Sequence, residues 1–377
     1  MTASKESESL APGGGGLAFW VVGFILLVAM PLLNVLPPED SWLHLSDFSL
    51  NRFGKFLAFA ILALGLDLIW GYTGILSLGQ GVFFGLGAYC MGMHMMLTIG
   101  KESVYGSDLP DFMVWNQVKE LPFFWKPFYS FPAAVIGAML VPMLFALVFG
   151  FFAFRSRIKG VYFAIITQAL ALAAWLVFNR NDTNLGGTNG LTDFKQLIGY
   201  RLSDPGTQRV LYIVTVLCLG GAYLLCRWII RSRAGRVLVA VRDSEQRVTF
   251  SGYTPANYKL FVFVVAAALA GLAGMLYAPQ VGIITPAQIG VLPSLEMVIW
   301  VAVGGRASLA GAVLGAVSVN YGRSILTNYF PELWPFILGG LFVVVVLLFP
   351  DGLIGIMRKM KERMRTGKAA AASEGKR

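Results

Sequence analysis

The stretch Gly71–Tyr89, GYTGILSLGQGVFFGLGAY, places six glycines between two apolar runs. Inside a helix each glycine costs roughly 1 kcal/mol relative to alanine, because its backbone loses more freedom and it buries no side chain. Two roles would justify such a density. The glycines let neighbouring helices approach closely, or they break a helix so that bare backbone lines a cavity. The rest of the chain sets the environment. Of 377 residues, 56% are hydrophobic and 13% charged, and the mean hydropathy is +0.68. These values exclude the soluble classes and place the chain in a bilayer.

A helix needs roughly 20 apolar residues to cross the hydrocarbon. Ten segments qualify: 17–36, 53–70, 76–97, 132–153, 161–178, 210–230, 259–279, 294–304, 308–326 and 334–350. The third is broken by glycine and the eighth is short. The expected fold is therefore all-α, a polytopic membrane protein of about ten transmembrane helices. Residues 1–16 hold one lysine against two glutamates and precede no small-residue cleavage site, so they are expected to form a disordered leader ahead of an uncleaved first span. Residues 17–356 form the membrane domain and 357–377 a basic tail.

The net charge of +10 is clustered. With both termini in the cytoplasm, 20 of the 30 lysines and arginines fall on that side, among them Arg155, Arg306, six arginines from Arg227 to Arg247 and eight basic residues of the tail. The loops 98–131 and 179–209 then lie outside, nearly balanced in charge. The aromatics of 98–131 either pack on the outer surface or anchor the interface.

A second glycine-punctuated segment, GGRASLAGAVLGA at 304–316, resembles the first. Ser77-Leu78 precede Gly81 and Gly85, and Ser308-Leu309 precede Gly311 and Gly315. Paired interrupted segments in corresponding halves point to an internal repeat around a transport path, and independent close-packing faces are the competing explanation.

Nothing argues for catalysis. The chain has no GxxxxGK[ST], HExxH or GxSxG, and its histidines, His44 and His94, lack a neighbouring nucleophile. Cys90, Cys218 and Cys226 fall in apolar runs without metal spacing, so neither a metal nor a cofactor is expected. Polar groups in the bilayer are costly unless they pair or face water, which makes each a candidate for a path. Those candidates are Gln168, Gln80, Ser77, Asp67 and Glu296. Asp67 has a structural alternative, binding backbone N–H groups of the break, and Glu296 can be buried structural glue.

The cytoplasmic segment 231–258 is the most informative polar stretch. Asp243 suits an N-cap with Gln246 three residues on, while Gly252 and Pro255 end the turn. A helix this short does not fold alone and calls for a partner surface.

That segment resembles the ATPase-coupling region of permeases from the branched-chain amino acid importer family of ABC transporters. GYTGILSLGQGVFFGLGAY, GVYFAIITQALA at 160–171, GGTNGLTDF at 186–194, SLEMVIWVAVGGRASLAGAVLGA at 294–316 and LFPDGLIG at 348–355 are similar to the same family. Gln80 after SLG, Gln168 in ITQAL, Asp67 in LGLDLIWGYTG and NRNDTNLGGTNGLTDF resemble its urea-transporting permeases, the C subunit of the pair. The resemblance implies a helical fold with internally related halves and a subunit of an ATP-driven importer in the inner membrane, with urea as cargo. A branched-chain or other amino acid is the alternative cargo. It further implies a second homologous permease subunit, two cytoplasmic ATPases that hydrolyse the ATP, and a periplasmic binding protein. Arg242, Asp243, Ser244, Glu245 and Gln246 fall in the coupling-helix position, although FSGYTPANY departs from the usual continuation. A self-sufficient channel or secondary carrier is the competing class, and it would need its own ion site.

Overall fold

The computed structural model describes residues 22–23, 25–38, 41, 44–100, 105–156, 158, 160–348 and 352–355. The leader 1–16 and the tail 357–377 lie outside the described residues. The protein is an all-α polytopic membrane protein. Among the described residues, seven helices are long and apolar enough to cross a membrane, and two shorter apolar helices accompany them.

In chain order the helices are α1 (Ile25–Val35), α2 (Asp47–Thr73), α3 (Gln80–Ile99), α4 (Phe131–Arg155), α5 (Val161–Phe178), α6 (Pro205–Arg231), α7 (Arg233–Phe250), α8 (Pro255–Val281), α9 (Val291–Gly304), α10 (Leu309–Tyr329) and α11 (Trp334–Leu348). One two-residue hairpin, Gln196–Leu197 with Tyr200–Arg201, lies between α5 and α6.

Helix starts follow local chemistry. Ser46, Asp204, Ser232 and Ser308 each accept a backbone N–H three residues on, opening α2, α6, α7 and α10. α8 is the central post, packing on α2, α3 and α4. Burial separates an inner layer from an outer one: the most apolar windows of α2 and α3 are 83% and 89% buried, against 22% for α4. The outer helices α4, α5 and α6 turn large apolar side chains such as Leu144, Ile165 and Leu217 outward, as a lipid-facing or partner-facing surface requires.

Close helix packing depends on small residues at the seams. A Cβ on Gly87 would sit 2.2 Å from the Gly271 carbonyl oxygen, and one on Gly271 would sit 2.3 Å from the Ala138 carbonyl oxygen. Pro142 explains the second contact, because it has no N–H to bind the Ala138 carbonyl inside α4.

α2 and α8 are antiparallel, with Gly54 against Gln280 and Gly65 against Ala266. Each is 27 residues long and each ends in a left-handed glycine, Gly74 and Gly282, both at φ 76°. After each glycine the chain turns back into the bundle before the next helix begins. Gly282 ends α8 as Gly74 ends α2. Of the two readings of 304–316, close packing is the one its geometry supports, since the segment is the α9–α10 turn. Its glycines serve close packing: a Cβ on Gly304 would meet the Gly311 carbonyl oxygen at 1.9 Å, and one on Gly315 the Trp300 carbonyl oxygen at 2.0 Å.

The segment 98–131 divides between the two expected roles. Trp125 is buried and donates to the Asn184 carbonyl, and Phe128 is buried, while Trp115 and Phe123 stand exposed. His94, near the end of α3, is buried within the protein, with Nδ1 2.9 Å from the Phe128 carbonyl oxygen. Cys90 and Cys226 are buried thiols and Cys218 is half-buried.

Candidate functional site: a re-entrant break

α2 closes on a left-handed glycine, with Gly74 N–H bonded to the Trp70 carbonyl and Ile75 N–H to the Ile69 carbonyl. The chain from Gly74 to Gly79 then re-enters the bundle without helical structure, and α3 begins only at Gln80. Irregular backbone at membrane depth is tolerated where protein covers it and supplies hydrogen bonds. Here two side chains do so. Leu78 N–H donates to Thr167 Oγ1 of α5 at 3.0 Å, and Gly81 N–H donates to Ser294 Oγ of α9 at 3.2 Å. Gly79 permits the first approach, since its Cβ would lie 2.6 Å from the Thr167 carbonyl oxygen.

The break is deep. Ser294 is separated from the Gly304 end of α9 by about 15 Å of helix, at 1.5 Å rise per residue. From the opposite direction the chain after α8 descends through Pro286–Ile289 and starts α9 at Val291. A Cβ on Gly85 would strike Ile289 Cγ1 at 2.3 Å. Two interrupted segments, entering from opposite ends, thus meet at Gly81 and Ser294.

Ser77 and Gln80 lie at this meeting point, fully or almost fully buried, and neither Ser77 Oγ nor Gln80 Nε2 has a hydrogen-bond partner among the described residues. Unpaired buried polar atoms are uncommon in folded proteins and call for an explanation. Gln168, next to Thr167 on α5, is half-buried. Gln80, Ser77 and Thr167 are therefore brought together, with Gln168 adjoining them in sequence.

Asp67 and Glu296 stand apart from that point. Asp67 Oδ1 accepts the Ala307 N–H at 2.8 Å, so it binds backbone of the α9–α10 turn and not of its own break. Tyr72 donates to the Ala307 carbonyl at 2.9 Å and Arg306 stacks over Trp70 at 4.8 Å. Asp67 thus pins the α9–α10 turn to the end of α2. Glu296 pairs with Arg323 of α10 at 2.5 Å. A charge in the hydrocarbon costs on the order of 3 kcal/mol at a helix centre, so the pairing offsets much of the penalty.

The coupling-position residues divide by direction. α7 runs from Arg233 to Phe250 but carries a kink at Ser244, with φ −161° and ψ 97°. The expected N-cap at Asp243 is corrected by this: Asp243 lies within a helix capped by Ser232, and the interruption falls one residue later. Arg242 points inward, donating to the Gly71 carbonyl at 3.0 Å, with its Cγ 3.0 Å from where a Gly74 Cβ would be. Glu245 also points inward, bonding Lys259 of α8 at 2.8 Å, which corrects the expectation that it faces a partner. Asp243 and Gln246 are exposed, and so are Arg247 and Phe250 beside them. Phe250, 91% exposed, is the projecting apolar group that sequence reasoning passed over.

Thr167, Ser294 and Lys259 were also missed. Each is an ordinary residue in an apolar helix, and only the neighbour it reaches across the bundle marks it.

The protein is thus a bundle of long membrane helices with a re-entrant break, joined to a short amphipathic helix that contacts the end of α2 through Arg242 and Gly71. The comparisons give the family. The description "branched-chain amino acid transport system / permease component" matches residues 49–346. The chain belongs to that permease family. The permease LivM of Escherichia coli K12 is 26% identical over 342 residues, covering 83% of this chain and 72% of the relative. BraD of Pseudomonas aeruginosa is 24% identical over 314 residues, covering 79% and 91%. A probable LivM of Methanocaldococcus jannaschii is 23% identical over 320 residues, covering 78% and 89%. No solved structure matches the chain significantly.

Proposed function

We propose that the protein is the permease subunit of an ATP-driven importer in the inner membrane, moving a small polar solute past the re-entrant break. The observation that carries this reading is the link from Arg242 through Gly71 to the break where Ser77 Oγ and Gln80 Nε2 are buried and unpaired. In this scheme a second, homologous permease subunit completes the path, two ATPases dock on the exposed side of α7, and a periplasmic binding protein delivers the solute. Asp243, Gln246, Arg247 and Phe250 form the ATPase-facing side; Arg242 and Glu245 anchor the helix to the membrane domain.

The relatives are named as branched-chain amino acid permeases, which supports an amino acid of that kind as cargo. Urea is the second reading, and a specific observation favours it. The groups left unpaired at the break, Ser77 and Gln80, are uncharged, and so are Thr167 and Ser294, which hold its backbone. A neutral molecule with amide donors and a carbonyl acceptor matches hydroxyl and amide side chains without needing a countercharge.

The test is reconstitution of the chain with its co-assembling subunits in proteoliposomes. Hydrolysis stimulated by leucine-loaded binding protein supports the amino-acid cargo, and stimulation by the urea-loaded form supports urea. Uptake that proceeds without ATP would replace the importer with a channel or secondary carrier.

A further inference from the structure

In the half of the bundle remote from α7, three ionisable side chains converge that the break does not use. Lys55 of α2 lies over Phe59, whose ring meets Trp300 one turn along α9 from Glu296; Glu296 pairs with Arg323 of α10, next to the Ser324 hydroxyl that accepts a hydrogen bond from Arg52 of α2. Lys55 is about 12 Å of helix from the start of α2, well inside the span. Arg323 and Glu296 form an ion pair at 2.5 Å, with the arginine side chain 44% exposed and the glutamate 15%. Lys55 is half-buried, and among the described residues its ammonium has no hydrogen bond or ion pair at contact distance. It sits instead 5.9 Å from the Phe59 ring centre and 5.7 Å from that of Tyr277.

This arrangement is poorly explained as structural glue. One acid and one base would suffice to neutralise each other, yet a second cation is kept in the span. Ionisable side chains inside a membrane domain that are not matched one to one mark solute and ion pathways. The aromatic pair supplies what a small solute also needs, because Phe59 stacks in turn on Trp300 at 4.9 Å and forms an apolar wall beside the charges.

We infer that Lys55, Glu296 and Arg323 form a solute-binding subsite that the solute meets before the break, with a carboxylate or carbonyl oxygen on Lys55 and an ammonium or amide N–H on Glu296. Arg323 holds the glutamate oriented. With Glu296 already paired to Arg323, Lys55 is left to take an oxygen from outside the protein. Both proposed cargoes present this chemistry: an amino acid through its carboxylate and ammonium, urea through its carbonyl and amide groups. The inference rests on the importer reading above and adds where along the path the solute is first held.

The experiment uses the assembled transporter in proteoliposomes, with the three native cysteines replaced and Lys55→Cys introduced. Uptake of leucine and of urea is measured per ATP hydrolysed and per assembled complex. Losing a charge-assisted hydrogen bond predicts a fall of about tenfold or more for the cargo that uses the site. Modifying the introduced thiol with an aminoethyl thiosulfonate restores an ammonium and should recover uptake, whereas a neutral methyl reagent should not. A fall confined to leucine identifies a zwitterionic solute, and one confined to urea a neutral amide. Unchanged uptake, a thiol that does not react, or recovery by the neutral reagent overturns the subsite. Lys55→Arg and Lys55→Gln are the companion variants; if every Lys55 variant fails to assemble, the residue is structural and the inference falls. An unmodified transporter that moves neither solute under ATP refutes the importer reading itself, a result read before any variant is compared.

Discussion

Arg242 on α7 and Gly71 near the end of α2 are joined by a hydrogen bond of 3.0 Å from guanidinium to backbone carbonyl. Three residues further on, Gly74 leaves the helix in the left-handed conformation with its Cα facing the Arg242 side chain. A carbonyl in the last turn of a helix has no intrahelical partner, and a cation there is favoured by the helix dipole. In the proposed importer, a displacement of α7 would act through this bond on the last turn of α2, three residues before Gly74 opens the re-entrant chain.

Replacing Arg242 with alanine should remove about 1.5–3 kcal/mol from this link, the range for hydrogen bonds to charged groups. The expected result is transport loosened from hydrolysis: uptake per ATP falls while ATPase subunits still co-purify. Equal uptake per ATP in Arg242→Ala and the unmodified complex would remove the link from the mechanism. Gly74→Ala acts on the same joint through the backbone. A side chain in the left-handed region costs about 1–2 kcal/mol, so the yield of assembled complex should fall even though the new methyl is small.

Glu245 and Lys259 should behave as a pair internal to this chain. Their side chains are 25% and 9% exposed, so removing one leaves the other poorly solvated. Glu245→Lys alone should lower the thermal stability of the complex, and the exchange Glu245→Lys with Lys259→Glu should recover part of it. A double-mutant coupling on the order of 1 kcal/mol or more is expected. Asp243→Lys, on the exposed side, should instead weaken ATPase association with little change in stability. A coupling near zero would return Glu245 to the partner-facing side.

Hydropathy and charge gave the all-α membrane class and located the helices, because both depend on composition over many residues. The break was legible for the same local reason: no helix carries Gly74, Gly79 and Gly81 around two polar side chains without cost. What sequence could not supply was the pairing across the bundle. The 304–316 segment shares the spelling of 77–85 yet forms a turn, and Gly282, which ends α8 as Gly74 ends α2, sits in an unremarkable context. Asp67 was correctly suspected of binding backbone, but the backbone it binds belongs to Ala307, far along the chain. Lys55 and Arg323 drew no notice in the sequence, because only the packing of α2 beside α10 brings their helices together.

The clustered basic residues predict an orientation with both termini in the cytoplasm, and the helix ends make it testable. Ser130 caps the start of α4 and Thr207 lies in the first turn of α6, whereas Ser232 joins α6 to α7. With α7 in the cytoplasm, cysteine at Ser130 or Thr207 should react with an impermeant reagent in spheroplasts, and cysteine at Ser232 only after lysis. The inverse pattern would turn the protein over in the membrane and separate α7 from cytoplasmic ATPases.

Thr167 and Gln168 are neighbours on α5 whose substitutions should fail in opposite ways. Thr167 is fully buried and accepts the Leu78 N–H that holds the re-entrant chain, so Thr167→Val leaves that donor unpaired. An unsatisfied buried donor costs about 1–3 kcal/mol, and the loss should appear as less assembled complex with unchanged transport per complex. Gln168 is half-buried with no such bond to the break. If its amide meets the solute, Gln168→Leu removes a hydrogen bond worth roughly 0.5–1.5 kcal/mol, a slowing of about 2- to 13-fold per complex. The ranking of urea against thiourea and acetamide should shift with it, because the lost group discriminates among hydrogen-bonding partners. Uptake in proteoliposomes, normalised to assembled complex, reads both variants on one scale. An unaltered rate and ranking in Gln168→Leu would leave the path to Ser77 and Gln80, whose buried polar atoms remain to be matched.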